Sequence, residues 1–253
     1  MPDIVTPVFY PDNALRNASI VMTPDGAVSG KGVDRLVDQD IGLECEDSGA
    51  DGQRFWVADL GIAPEPASVW IFAGSRYAGE LLTLESSDDG DEWTLRASIT
   101  PASDAPQLVA IIEAPVTARY WRWFASYPAD PIIFTEVSLT IGYSLRKPSA
   151  PRLHEPLIPN VATVESSAGR MFAAQRGSRR WSSTYTMTYT PNMNRAVVFG
   201  VLDSIKDGAK PFWLITVTND LRWVRMNGGI DFSAADLTVD HWDVPLVFVE
   251  ELP

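Results

Sequence analysis

The fold of the first half of this chain is decided between residues 54 and 123, which contain three segments in order: Phe55-Trp56-Val57-Ala58-Asp59-Leu60-Gly61, Ser86-Ser87-Asp88-Asp89-Gly90-Asp91-Glu92-Trp93 and Ala118-Arg119-Tyr120-Trp121-Arg122-Trp123. The first and third are predicted strands, and the second contains a hairpin turn, because an Asp-Gly pair between strands tolerates positive φ. Further strands are predicted at 69–73, 81–85, 93–97, 108–112, 120–124 and 134–141. Many short strands at near-regular spacing favour a β-sandwich.

Two side-chain placements follow from this strand pattern. In the last strand, strict alternation puts Phe134, Glu136, Ser138 and Thr140 on one face and Val137, Leu139 and Ile141 on the other. Aromatic side chains dominate core burial, so the strand tryptophans are predicted to be core residues rather than a ligand platform; these are Trp56, Trp70, Trp93 and Trp121.

Length and charge limit the classes of function. The chain has 253 residues, enough for two domains. Its net charge of −13 is uneven: residues 1–145 hold 8 basic and 22 acidic residues (−14), and residues 146–253 hold 12 and 11 (+1). The acidic half argues against binding to nucleic acid or anionic lipid. No apolar run of about 18 residues predicts a membrane span, and no signal peptide is predicted, so we expect synthesis in a cytoplasm.

A proline-rich linker at 146–160 separates a domain at 1–145 from one at 161–253. Strict alternation over residues 184–190 predicts a strand with Tyr185, Met187 and Tyr189 on one face. A short helix is predicted between the cap Asn194 and Gly208, followed by strands at 211–217, 221–226 and 242–250. The predicted fold class is mainly β, with one short helix in the second domain.

The three quoted segments together resemble the discoidin family (factor V/VIII type C, galactose-binding-like). The resemblance implies a jelly-roll sandwich that binds a sugar, lipid or protein surface. The protruding loops would carry the ligand, and Arg76 and Tyr77 would offer a donor and a stacking ring. The alternative is an ordinary polar loop with a half-buried tyrosine.

Leu36-Val37-Asp38-Gln39-Asp40 resembles the Leu-Val-Asp-Gly-Asp segment of discoidin-like sugar-binding modules. The resemblance implies a Ca²⁺ ion held by Asp38, Asp40 and Glu136, since Ca²⁺ takes six to eight oxygen ligands. Gln39 stands where the family has Gly, which supplies backbone freedom. The alternative is a solvated acidic loop.

The second half resembles distal-tail (Dit) and tail-tube-like proteins of long-tailed bacteriophages through Arg180-Trp181-Ser182, Asp207-Gly208, Pro211-Phe212-Trp213 and the closing strand from Trp242. The resemblance implies a virion protein of the tail tip or baseplate, assembled in the bacterial cytoplasm. It would form a homo-oligomeric ring, a hexamer or alternatively a trimer, that contacts the tail tube and hub proteins. The discoidin-like module would then bind host surface glycans or neighbouring proteins.

A cluster of basic residues near the start of the second domain has two interpretations. Arg176, Arg179 and Arg180, with Trp181, are predicted to lie at the subunit interface of the ring, because arginine suits interface ion pairs. The alternative is a channel or nucleic-acid contact.

No catalytic constellation is recognised, so we expect no enzymatic activity. Asp88, Asp89, Asp91 and Glu92 could act on glycosides as paired acids, but a hairpin turn needs Asp and Gly for its geometry alone. The function predicted first is therefore a tail-tip structural protein with a carbohydrate-binding-like module. The alternative is a free lectin-like protein.

Overall fold

The computed structural model describes residues 7–23, 30–46, 55–103, 107–125, 132–144, 157–158, 161–165, 171–175, 180–189, 210–227, 233–236 and 241–251. The chain divides into two compact units, Tyr10–Tyr143 and Met1–Phe9 with Ser144–Leu252. The described elements are almost all strands, as the sequence predicts, with short 3-10 turns at Ala14–Asn17 and Val33–Leu36. None of the helical segments described is long and apolar enough to cross a bilayer.

The strands up to the boundary between the units are β1 (Val8–Tyr10), β2 (Ser19–Thr23), β3 (Cys45–Glu46), β4 (Phe55–Asp59), β5 (Ala67–Ser75), β6 (Leu82–Ser87), β7 (Thr94–Ile99), β8 (Gln107–Val116), β9 (Tyr120–Ala125), β10 (Ile133–Thr140) and β11 (Tyr143–Ser144). Apart from β1 and β11, they form two antiparallel sheets, ordered β3-β10-β5-β8 and β2-β4-β9-β6-β7. The Tyr10–Tyr143 unit is therefore a two-sheet β-sandwich, with its strand ends and loops gathered at its two ends.

The inner faces of the two sheets enclose an aromatic core. Trp56, Trp70 and Trp121 are at most 2% exposed, which confirms their predicted core positions. Trp56 packs edge-to-face on Phe134 across the sandwich, with ring centroids 5.0 Å apart. Full burial of one such side chain stabilises the folded state by about 1.5–3 kcal/mol, so this core is the main stabilising feature of the unit.

Trp93 differs from the other three tryptophans. It precedes β7 and is only half-buried. The guanidinium of Arg122 lies 4.2 Å from the centroid of its ring, and the Arg122 Nε donates a hydrogen bond to Glu85 at 2.5 Å. The prediction of a core position was wrong for Trp93, because its ring packs against a charged side chain at the end of the hairpin.

A β-bulge in β10 overturns the predicted alternation of its side chains. The pairing with β5 shifts between Phe134 and Glu136, so one extra residue separates them. Phe134 therefore joins Val137 and Leu139 in the core instead of sharing a face with Glu136. Beside the bulge the two strands come very close: a Cβ on Gly74 would lie 2.0 Å from the Ile133 carbonyl oxygen.

Strand β10 pairs with β3 only at Ile133 and Phe134, and further along that edge its backbone is closed by one side chain. The Asn13 amide donates to the Val137 carbonyl at 2.8 Å, and its oxygen accepts from the Leu139 N–H at 3.2 Å. The same oxygen accepts from the Leu15 N–H at 3.0 Å, which caps the first 3-10 turn. Asn13 thus satisfies the backbone groups that a neighbouring strand would otherwise pair.

Two of the segments that decide the fold are joined by an ion pair. Asp59 at the end of β4 accepts hydrogen bonds from Arg119 Nε and Nη2, both at 2.8 Å, and from the Gly61 N–H at 2.8 Å. The hydrogen bonds from Arg119, followed by that from Gly61, lower the pKa of Asp59 to about 2. The pair fixes the turn after β4 against the start of β9, where Asp59 faces Tyr120 in the register.

The strands of the other unit are β12 (Leu157–Ile158), β13 (Val161–Glu165), β14 (Met171–Gln175), β15 (Arg180–Tyr189), β16 (Phe212–Ile215), β17 (Leu221–Met226), β18 (Ser233–Asp236) and β19 (His241–Glu250). One sheet runs β11-β1-β16-β17-β19-β15-β12, with β18 also paired to β19, and β13 and β14 form a separate hairpin. The predicted strands at 184–190, 211–217, 221–226 and 242–250 all correspond to observed strands.

This sheet has its own aromatic cluster, and β1 contributes to it. The rings of Phe9 and Phe212 stack 5.7 Å apart, and Phe248 contacts Tyr185 edge-to-face. Tyr185 is fully buried, while the side chains of Met187 and Tyr189 lie outside the described residues. The helix predicted between Asn194 and Gly208 also lies outside the described residues.

Candidate ligand-binding site

In the loop predicted to bind a ligand, Arg76 is exposed and Tyr77 is buried. The Tyr77 side chain is 0% exposed, its hydroxyl donates to the Gly74 carbonyl at 3.1 Å, and its ring packs edge-to-face on Phe72. This ring has no face available for stacking on a sugar. Arg76 has a positive φ of 63°, and its side chain is 48% exposed.

Arg76 belongs to a network of charges at this end of the sandwich. Its Nη1 lies 3.0 Å from Glu46 Oε1, and Lys31 Nζ lies 2.5 Å from the other oxygen of Glu46. Lys31 also contacts Glu44 at 2.7 Å. The ion pairs hold the Arg76 guanidinium in place at the surface, and they also occupy part of its capacity to bind a ligand.

The loop containing Asp38 and Asp40 lies beside Glu136, as the calcium interpretation requires. The Gln39 N–H donates to Glu136 Oε2 at 3.1 Å. Gln39 has a φ of 68°, so the loop adopts at a non-glycine residue the left-handed geometry for which the family uses Gly. Asp38 and Asp40 each accept a backbone N–H two residues further on, at 2.9 Å.

Glu136 is the buried carboxyl of this cluster. It is 1% exposed, and burial raises its pKa well above the ordinary value. The hydrogen bond from the Gln39 N–H has the next largest effect on this pKa and lowers it. Burial also raises the pKa of Asp38. Among the described residues no group of three or more acidic, histidine or cysteine side chains converges as metal ligands. Glu136 and Asp38 thus fit a Ca²⁺ ion only if loop carbonyls supply most of its oxygens, and Ca²⁺ binding stays a prediction.

The residues predicted at a subunit interface are only partly described. Arg176 and Arg179 lie outside the described residues. Arg180 opens β15 and pairs with Ile158. Trp181 is 4% exposed, and the guanidinium of Arg222 lies 5.7 Å from the centroid of its ring. The interface prediction for the group remains untested.

The hairpin between β6 and β7 has a rigid tip organised by Asp89. The Asp89 Oδ1 accepts hydrogen bonds from the Asp91 N–H at 2.9 Å, the Glu92 N–H at 3.0 Å and the Ser87 hydroxyl at 2.9 Å. These bonds, with those of the two backbone N–H groups first, lower the pKa of Asp89 to about 2. Gly90 supplies the φ of 88° that the turn needs. The turn interpretation of this carboxylate is therefore correct.

A polar pocket of about 230 Å³ opens beside this hairpin. It is lined by the end of β6, the hairpin, the start of β7 and the turn before β9: Ser86, Ser87, Asp88, Asp89, Glu92, Thr94, Arg96, Thr117 and Ala118. Ser86 is 1% exposed, and its hydroxyl accepts a hydrogen bond from Arg96 Nε at 2.7 Å. This bond fixes the Arg96 side chain against the pocket wall.

The pocket offers both hydrogen-bond donors and acceptors to a ligand. Asp88 and Glu92 are exposed, and no hydrogen bond or ion pair engages their carboxylates within the described part of the chain. Arg96 contributes donors, and the hydroxyls of Thr94 and Thr117 can act as either. The sequence indicated the carboxylates but not Arg96 or Thr117, because the register of different strands brings these residues to the hairpin.

The comparisons with known proteins give similarity at the level of fold. CpGH89CBM32-6 produced by Clostridium perfringens is 14% identical over 53% of this chain and 100% of that chain, with a TM-score of 0.42. The family 32 carbohydrate-binding module from Streptococcus pneumoniae EndoD is 15% identical over 53% and 100%, with a TM-score of 0.42. CBM32-1 from a family 31 glycoside hydrolase of Clostridium perfringens is 14% identical over 50% and 99%, with a TM-score of 0.43.

No protein-family model matches the sequence, and no curated protein matches it. These three structures are carbohydrate-binding modules that correspond to about half of this chain, and they give no support to the tail-protein resemblance of the other half. At these identities and scores a match says nothing about what this chain binds, so the ligand has to be argued from its own residues.

Proposed function

We propose that the Tyr10–Tyr143 unit is a non-catalytic carbohydrate-binding module whose ligand occupies the pocket beside the hairpin. The observation that carries this proposal is the mixture of polar groups in the pocket: two carboxylates without partners in the described residues, an arginine and two threonine hydroxyls. Sugar hydroxyls both donate and accept hydrogen bonds, so they match such a mixture. The volume of about 230 Å³ lies below the roughly 300–1,000 Å³ of drug-sized sites, which suits one sugar ring.

Binding is favoured over hydrolysis by the state of the Asp89 carboxylate. A glycosidase needs a carboxylic acid whose pKa is raised, so that it can protonate the leaving oxygen. The pKa of Asp89 is instead lowered to about 2, by three hydrogen bonds that belong to the turn. Asp89 is therefore a structural carboxylate, and the pocket binds its ligand without reacting with it.

The proposal is tested by comparing two arginine variants of the full chain on a glycan array, followed by titration of the sugars that bind. Arg96→Met removes the guanidinium from the pocket, and Arg76→Met removes one from the opposite end of the sandwich. Loss of a hydrogen bond from a charged donor costs about 1.5–3 kcal/mol, so we expect Arg96→Met to weaken binding at least tenfold and Arg76→Met to leave it unchanged. Equal affinity of Arg96→Met and the parent chain would refute the pocket.

A second variant guards against a loss of structure in Arg96→Met, since Arg96 also binds Ser86. Thr94→Val keeps the size and the strand preference of the exposed side chain and removes only its hydroxyl. We expect a severalfold loss of affinity with no change in melting temperature. If binding instead depends on Arg76, the loop at the opposite end is the sugar site, as the sequence predicted.

The second candidate function is a structural subunit of a phage tail tip, and one feature of the other unit favours it. Strand β15 pairs along Ser182–Tyr189 with β19, but on its other side only Trp181 and Arg180 pair with β12 in the described residues. A long unpaired margin is suited to pairing with a second copy of the chain. The proposed partners are sister copies in a ring of six, or alternatively three, together with tail-tube and baseplate hub proteins in the virion.

Native mass spectrometry of the full chain tests this second candidate. A cyclic hexamer or trimer that persists on dilution is expected for a ring protein. Several copies would also convert weak sugar binding into firm adhesion, because linked sites act at high effective concentration. A strictly monomeric chain at all concentrations would leave the free lectin-like protein as the better description.

A further inference from the structure

The electrostatics of the pocket restrict the class of sugar that it can take. We infer that the pocket prefers a sugar that carries a positively charged amino group, an inference that rests on the function proposed above. The pocket is lined by the three carboxyl side chains Asp88, Asp89 and Glu92 and by one basic side chain, Arg96. A ligand with its own positive charge would balance this excess of negative charge.

The nearby arginines do not neutralise the two exposed carboxylates. Arg96 Nε is committed to the Ser86 hydroxyl at 2.7 Å. Arg119, next to the pocket wall, makes a two-point ion pair with Asp59 at 2.8 Å, and Arg122 pairs with Glu85 at 2.5 Å. Within the described residues the carboxylates of Asp88 and Glu92 therefore remain available to a ligand.

The third carboxylate adds charge without offering the same contact. Asp89 has a pKa of about 2, so it stays ionised at any ordinary pH. Its Oδ1 already accepts three hydrogen bonds from the turn. The turn thereby holds a fixed negative charge between Asp88 and Glu92 in the sequence, and this charge favours a cation and disfavours an anionic sugar.

An ammonium group suits these carboxylates better than a hydroxyl does. It donates three hydrogen bonds and accepts none, whereas a carboxylate only accepts. A simple polyamine would satisfy the carboxylates as well, but it has no acceptors for the guanidinium of Arg96 or the hydroxyls of Thr94 and Thr117. The combination of both sets of groups points to an amino sugar.

The test is a titration of the full chain with glucosamine, N-acetylglucosamine, glucose and spermidine at one ionic strength, followed by chemical-shift changes in the NMR spectrum. Acetylation removes the charge of the amine and keeps the sugar ring. An exposed ion pair contributes up to about 1 kcal/mol, so two pairs correspond to a preference for glucosamine of up to about thirtyfold over the two neutral sugars. Raising the salt concentration should reduce this preference.

Variants of the hairpin test which carboxylates produce the preference for glucosamine. Asp88→Asn combined with Glu92→Gln should abolish the preference and leave the weaker binding of neutral sugars. Asp91→Asn is the control, because it removes one negative charge from the same turn at a residue that does not line the pocket. The preference should persist in this control.

Each other outcome overturns a defined part of the reasoning. Equal affinity for glucosamine and glucose, unaffected by the double variant, would refute the charge preference while the carbohydrate site stands. Spermidine binding as tightly as glucosamine at the same residues would show that the pocket selects charge alone. Absence of binding by every sugar would refute the proposed function together with this inference.

Discussion

Substitution of Asn13 by Ala should destabilise the sandwich far more than its position in a short turn suggests. The side chain bonds the Val137 carbonyl, the Leu139 N–H and the Leu15 N–H at 2.8, 3.2 and 3.0 Å. Val137 and Leu139 are both fully buried, so Asn13→Ala leaves two backbone groups of β10 without partners. Each costs about 1–3 kcal/mol, and water that enters the cavity offsets part of this. We expect a loss of about 2–4 kcal/mol.

Hydrogen exchange of the full chain measures this effect where it arises, since global unfolding of a two-unit chain is not a single transition. The amide of Leu139 should exchange faster by a factor that corresponds to the lost stability, about 1.4 kcal/mol for each factor of ten. Asn17→Ala is the control, because Asn17 is exposed at the end of the same turn. If the two variants exchange alike, Asn13 does not close the edge of β10, and the reasoning is wrong.

Three further predictions concern buried charge, an ion pair and a close contact. Burial raises the pKa of Glu136 above 4.5, so the contribution of Glu136 to stability, and with it the melting temperature, falls as the pH rises from 4.5 towards that raised pKa. The variant Glu136→Gln should remove this fall in melting temperature. It should also remove any stabilisation by added Ca²⁺. The pKa of Asp59 is lowered from 3.8 to about 2, so its stabilisation is present above pH 3.8 and lost as the pH falls to 2; Asp59→Asn should lower the melting temperature at pH 7 and not at pH 2. Gly74→Ala should prevent folding of the sandwich as followed by circular dichroism, because its Cβ would lie 2.0 Å from the Ile133 carbonyl oxygen. Gly61→Ala is the control: its Cβ would meet open space, so the substitution should cost only about 1–2 kcal/mol of stability.

The strands were predictable because their signals are local. The strand at Leu221–Met226 was predicted residue for residue, and the hairpin at Asp89-Gly90 lies between β6 and β7 as expected. Period-two alternation and turn chemistry are properties of neighbouring residues, so they are visible in one sequence. Because these local signals are common to many β proteins, they predict the class of fold better than the ligand.

The features that were missed depend on residues distant in sequence. The bulge in β10 follows from how the backbone at Gly74 meets Ile133, about 60 positions further along the chain. Tyr77 was predicted either to offer a stacking ring on a protruding loop or to be half-buried in a polar loop, but the hydrophobic core extends to it through Phe72 and buries it fully. The closure of the β10 edge by Asn13 joins residues 124 positions apart. No periodicity within a window of 10 or 20 residues contains such information.

The sequence predicted only some of the residues of the candidate site. The acidic residues of the hairpin were recognised, with turn geometry and catalysis as the alternatives. Turn geometry explains Asp89, whose carboxylate bonds the turn itself. It does not explain Asp88 and Glu92, which the described residues leave without partners. Only the pairing of β6 with β7 and β9 shows that Arg96 and Thr117 border the same space.

Structure and binding at the hairpin are therefore two uses of the same turn. The three hydrogen bonds to Asp89 tie the backbone of Asp91 and Glu92 to the tip, and Ser87 connects the tip to β6. A turn backbone that is already rigid loses little conformational freedom when a ligand binds, and this reduced entropic cost improves affinity. A flexible loop with the same carboxylates would bind more weakly. The rigidity that makes this turn an ordinary hairpin is thus also what makes its remaining carboxylates suitable for binding a small polar ligand.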